Sequence, residues 1–194
     1  MTKPSNKIFA NVVDALSKMD NIELKDISEK DDNDIHFDIY LHSKKYKSVS
    51  IEQIGKVFYI VSSYIDTEHD DFSPYRISRQ ASSANDIIDK ITSIDAFALD
   101  MYNLIRMRLY KLPEVKETTG YDLVLLIDMQ KDISVGLNTK VSDTNYCTSE
   151  ITIKHGNNKT CIKHCIRIDD DVPTKIDYIA KEVFMEVHKL SADL

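Results

Sequence analysis

From Ser83 to about Tyr110 the chain carries apolar residues at helical spacing, and this run constrains the fold more than any other feature. Ile87, Ile91, Ile94, Ala98, Met101 and Ile105 form one stripe whose steps alternate between four and three, a heptad pattern. Ile88, Phe97, Leu104 and Leu109 form a second stripe beside it. So wide an apolar face suits a helix covered on two sides, and the pattern predicts one long central helix inside the core. Ser83, followed by Asp86, is the expected N-cap, because its hydroxyl can accept an otherwise unpartnered N–H of the first turn. Pro113 closes the segment, since proline cannot continue a helix.

Two further helices follow from the same period. One runs from about Ser5 to Met19, with Ile8, Phe9, Val12, Val13 and Leu16 inward; the other spans roughly Thr174 to Leu190, with Ile176, Ile179, Val183, Val187 and Leu190 inward. Between the helices the period changes to two. Ile35, Phe37, Ile39 and Leu41 alternate with polar residues, as do Ile133, Val135 and Leu137, then Ile151 and Ile153, then Ile162, His164, Ile166 and Ile168. Such alternation marks half-buried strands. Val57–Val61 and Leu123–Ile127 read as more fully buried strands, and Ile22–Ile27 and Lys47–Ile51 as weaker ones. The segment His155–Lys159 reads as a hairpin turn. Asp66–Ser82 and Lys111–Gly120 read as polar connections.

The order is helix, about four strands, long helix, about four strands, helix. Strands in runs separated by helices predict an α+β fold, α-ββββ-α-ββββ-α, with mainly antiparallel strands in two blocks. At 194 residues and 42% hydrophobic content the chain can bury one sizeable core. The expectation is a single domain, 1–194, whose pseudo-duplicated halves would be about 1–110 and 111–194.

The net charge of −7 repels phosphates and argues against a general nucleic-acid footprint. No segment approaches the ~20 apolar residues of a membrane span, and the N-terminal sequence lacks the apolar region of a signal peptide. Three cysteines without such a signal point to free thiols in a reducing compartment. The expected location is the cytoplasm, or the host-cell cytosol for a viral protein.

Cys147, His155, Cys161, His164 and Cys165 are a candidate zinc cluster by residue type. Strand period argues against it: His164 falls on the core face with Ile162 and Ile166, while Cys161 and Cys165 fall on the other face, ~13 Å apart along the strand. The run Asp66–Asp71 has hard-metal ligand types but lacks the spacing and glycine of a calcium loop. Gly55, Gly120, Gly136 and Gly156 are isolated, so no phosphate-cradling loop is present, and there is no Gly-x-Ser-x-Gly elbow. No cofactor and no metal are therefore expected.

The candidate partner-binding residues fall in three places. Arg76 and Arg79 precede the central helix, and Arg106, Arg108 and Lys111 cluster at its end. His36 and Tyr40 on one strand face, with Lys163 and Arg167 on another and Lys154 across the hairpin, could form a polar recognition surface. The leading expectation is a non-catalytic protein–protein interaction module, a regulator or inhibitor of viral, phage or bacterial origin. The heptad stripe offers a route to a homodimer. A second expectation is single-stranded nucleic-acid binding through an exposed sheet face. A third is an enzyme with a dispersed, motif-less site.

Overall fold

The computed structural model describes residues 6–64, 75–110, 115–119, 124–127 and 133–192, with side chains described for 6–64, 75–109 and 133–190. The acidic run Asp66–Asp71 and Lys111 lie outside the described residues. The chain is α+β, and the described residues form four helices and two antiparallel sheets. It divides into two compact units, Met1–Ala96 and Phe97–Leu194.

The first unit contains α1 (Lys7–Ser17), then β1 (Ile22–Asp31), β2 (Asp34–Leu41), β3 (Lys44–Ile54), β4 (Val57–Ser63) and β5 (Arg76–Ala81), then α2 (Ala84–Thr92). Its strands pair in sequence order as an antiparallel meander. Asn6 caps α1 by accepting the Ile8 N–H at 2.9 Å, and its amide also donates to Asp32 O and Gln53 Oε1, which ties the helix start to the sheet. Phe9, Val12 and Leu16 of α1 and Ile87 and Ile91 of α2 pack with Ile35, Phe37, Ile39, Val49, Ile51, Phe58 and Ile60 in one core cluster. Truncating a residue such as Leu16, which is fully buried, to alanine would cost about 2–5 kcal/mol.

The second unit contains all but the first turn of α3 (Ile94–Tyr110), then β6 (Val115–Thr119), β7 (Val124–Ile127), β8 (Ile133–Asp143), β9 (Tyr146–His155), β10 (Asn158–Arg167) and α4 (Val172–Ala192). Its strands also pair in sequence order. The β9–β10 hairpin turns where expected, with Gly156 at φ 57° supplying the left-handed conformation that a tight turn requires. α4 lies against β9 and β10, with Ile176, Ile179, Val183 and Val187 buried. Its N-cap is Asp171, which accepts the Thr174 N–H, and Pro173 sits in the first turn, where its missing N–H is not needed.

The long central helix is corrected: the described residues form four helices rather than three, because the run breaks at Ser93. Ser93 is extended, with φ −69° and ψ 146°, and its hydroxyl accepts the Ala96 N–H at 3.1 Å. It is thus the stop of α2 and the N-cap of α3 at once. Just before it, the Thr92 hydroxyl donates to Ile88 O. Cations close the exposed end of α2: Lys47 Nζ donates to Ile91 O at 2.8 Å, and Arg79 donates to Lys90 O and Ala96 O. A helix C-terminus carries partial negative charge, which such groups offset. At the other end, the expected cap holds, with the Asp86 N–H donating to Ser83 Oγ.

The apolar stripe is therefore divided. Ile87 and Ile91 belong to the core of the first unit, while Ala98, Met101 and Ile105 are buried residues of α3. Among the described residues each block has five strands rather than four. The two extra strands, β5 and β6, fall in the segments read as polar connections. Among the described residues the same helix–five strands–helix order recurs in both units.

Candidate interaction face on the second sheet

Alternation fixes which side chains share a face of β8, β9 and β10. Ile133, Val135, Cys147, Ser149, Ile151, Ile153, Ile162, His164 and Ile166 are buried on the inner face. The intervening residues point outward, and the strand register arranges them in rows. Lys159 lies opposite Lys154, and Lys154 opposite Ser134; Cys161 lies opposite Thr152, and Thr152 opposite Gly136. The next rows are Lys163–Glu150–Asn138 and Cys165–Thr148–Lys140, and then Arg167–Tyr146–Asp143. Rows repeat about every 7 Å along the strands, which lie about 5 Å apart.

This outer face is cationic although the chain as a whole carries −7. Lys140, Lys154, Lys159, Lys163 and Arg167 are all exposed there. Glu150 sits among them and Asp143 closes the far end. Glu150 is engaged: Lys163 Nζ lies 3.1 Å from its carboxylate, and the Cys161 thiol donates to it at 3.4 Å. The Lys163 ammonium, followed by the Cys161 thiol, holds the Glu150 carboxyl below its usual range, and Glu150 in turn holds Lys163 above its own. Beside Glu150 a shallow depression of about 340 Å³ opens over Gly136, lined by Ser134, Asn138, Thr152, Lys154 and Lys159.

The inner face explains the histidine and the thiols. His164 is 9% exposed, with Nε2 3.2 Å from the Glu182 carboxylate of α4 but without a hydrogen bond aligned to it. Its ring meets Tyr178 edge-on. Burial, reinforced by Lys175 and opposed by Glu182, holds its pKa below the ordinary value. Cys147 is buried and its thiol is pushed up to about 12 by loss of water. Cys161 and Cys165 are exposed on the opposite face. Among the described residues no cluster of three or more His, Cys, Asp or Glu side chains could hold a metal ion.

The remaining sequence candidates are placed elsewhere. Arg79 serves the end of α2, as described above. Arg76 is half-buried on β5 opposite Ser63. Arg106 is half-buried on α3. Arg108 donates through Nε to Asp177 at 2.6 Å and so links α3 to α4. His36 Nδ1 is 3.0 Å from Ser50 Oγ, and its Nε2 is 3.7 Å from Asp38. Asp38, 5% exposed, also accepts from Ser48 at 2.6 Å and pairs with Lys45 at 2.8 Å. The Lys25 ammonium lies 4.2 Å over the Tyr40 ring, a cation–π contact. The outer side of the first sheet is thus knitted by its own polar pairs. His36 and Tyr40 belong to one sheet and Lys163 and Arg167 to the other, so they do not share one strand ladder. The sequence reading missed Lys140, Lys159, Glu150 and Gly136. Extending the alternation of Val135 and Ile153 to their polar neighbours would have placed Glu150 and Gly136 on the outer face.

Among the described residues no helix is long and apolar enough to cross a membrane. Comparison with protein-family models, with curated proteins and with solved structures finds no match.

Proposed function

We propose that the chain is a non-catalytic interaction module that receives an acidic protein segment on the outer face of its second sheet. One observation carries this reading: an exposed ladder of Lys140, Lys154, Lys159, Lys163 and Arg167 on a chain of net charge −7. Grouped like charges on a protein of opposite overall sign create a local field that steers a complementary partner and disfavours the rest of the surface. Regulation or inhibition of that partner is the role in keeping with a face that binds without chemistry. Single-stranded nucleic acid fits this face less well. Stacking platforms need aromatic side chains, and on the outward positions of β8–β10 only Tyr146, at one end, is aromatic.

The test is fluorescence anisotropy with a labelled hexaglutamate peptide and, in parallel, a thymidine oligonucleotide of equal charge. The reading predicts peptide binding at low salt that weakens as salt rises and is lost in the Lys154→Glu/Lys163→Glu/Arg167→Glu variant. Peptide binding indifferent to that variant would refute it. An oligonucleotide preferred at matched charge would put nucleic acid in its place.

A further inference from the structure

The outer face holds one element that neither folding nor general charge accounts for. Gly136 stands in the interior of β8, where glycine weakens a strand and often marks a close approach by another group. Nothing in the fold requires it. Its φ is outside the left-handed region, and an added Cβ would meet only Thr152 O, at 3.9 Å. The missing side chain leaves the depression of about 340 Å³ open to solvent on the sheet face.

The wall of the depression carries a second, independent signal. Lys154 and Lys159 stand directly opposite each other across the β9–β10 pair and both line the depression. Like charges directly opposite each other, with Cβ atoms about 5 Å apart, destabilise the pair, and an anion held between them would offset that repulsion. The nearest carboxylate on the wall, Glu150, is turned to Lys163 and Cys161. Ser134 and Thr152 flank the same space and have hydroxyls to donate.

We propose that the depression over Gly136 is the anchor pocket for a carboxylate side chain of the acidic partner segment. The carboxylate sits between the Lys154 and Lys159 ammonium groups and accepts from the Ser134 and Thr152 hydroxyls. This inference rests on the acidic-partner reading and adds its point of attachment. The rows of Lys163, Lys140 and Arg167 then supply the approach field, and Gly136 supplies the room.

The experiment measures labelled hexaglutamate affinity for the full chain at low salt, with three variants. Gly136→Val fills the pocket with a residue suited to a strand. Lys154→Gln/Lys159→Gln removes the anion partners, and Lys140→Glu/Arg167→Glu alters only the distant rows. The expected result is a loss of about tenfold or more for Gly136→Val, with an unchanged or raised melting temperature. A comparable loss follows in the Lys154/Lys159 pair, and the distal pair shows a smaller one that vanishes at high salt. Should Gly136→Val not fold, Gly136→Ala and the Lys154/Lys159 pair carry the same comparison. Affinity lost in the distal pair but retained in the pocket variants overturns the anchor and leaves the acidic-partner reading standing. Affinity unchanged in every variant overturns both. A phosphoserine peptide that binds in a Gly136-dependent way where hexaglutamate does not bind overturns the carboxylate assignment.

Discussion

Ser93 separates α2 from α3, and replacing it with alanine tests whether the break is encoded where the structure places it. Ser93→Ala removes the hydroxyl that accepts the Ala96 N–H at 3.1 Å. Loss of an N-cap serine costs about 1 kcal/mol, within a range of about 0.5–2. Alanine brings no compensating propensity to the native state, because residue 93 is extended there and not helical. It does favour the competing state in which α2 and α3 run on as one helix. The Arg79 bond to Ala96 O would resist that joining. The net expectation is a loss of about 1 kcal/mol, roughly a fivefold shift in the folded-to-unfolded ratio. Thermal unfolding followed by circular dichroism reads it directly. A drop of about 4–8 °C is expected if a unit of some 100 residues melts by itself, and about 2–4 °C if the whole chain melts together. Ser93→Asn restores a capping side chain and should recover most of the loss. A neutral or stabilising Ser93→Ala, with increased helical signal, would refute the cap and favour a continuous helix.

Two further outcomes follow from the second unit. His164 is held below its ordinary pKa of 6.5 by burial first, so between its folded value and 6.5 the unfolded chain binds the extra proton. Stability from this group is therefore complete above about pH 6.5 and declines as pH falls through that window toward the folded value. Urea titrations across pH 4–8 should show this slope flattened in His164→Leu and steepened in Glu182→Gln; a slope untouched by His164→Leu would contradict it. Thiol labelling with iodoacetamide, read by intact mass, should modify Cys161 and Cys165 in the folded protein and Cys147 only in denaturant, because Cys147 is buried with its thiol pushed up to about 12. Labelling of Cys147 under native conditions would contradict its placement.

Where one face of an element meets the core, the sequence was legible. The inward set Ile35, Phe37 and Ile39 and the separation of His164 from Cys161 and Cys165 are visible as period two, because burial acts on every second side chain. The Ser83 cap and the Gly156 turn were legible because each depends on local chemistry alone. The break at Ser93 was not, because apolar residues continue on both sides of it at helical spacing and conceal a change of helix. Its signal was Thr92-Ser93, two hydroxyl residues of modest helix propensity that compete for backbone groups. β5 was missed because Arg76, Ser78, Arg79 and Gln80 leave Ile77 and Ala81 as its buried residues, with the charged Arg79 between them on the same face. For the candidate face, Lys154, Lys163 and Arg167 could be read from one hairpin. The rest needed the register between β8 and β9, since a row is a property of three strands and is absent from any one of them.

The most direct test of the account is amide chemical-shift mapping of the labelled chain titrated with hexaglutamate at low salt. The account predicts shifts concentrated at the outward residues of β8, β9 and β10, strongest around Gly136, Lys154 and Lys159, and abolished at high salt. Shifts centred on the first sheet around His36 and Tyr40, or no shifts at all, would contradict it.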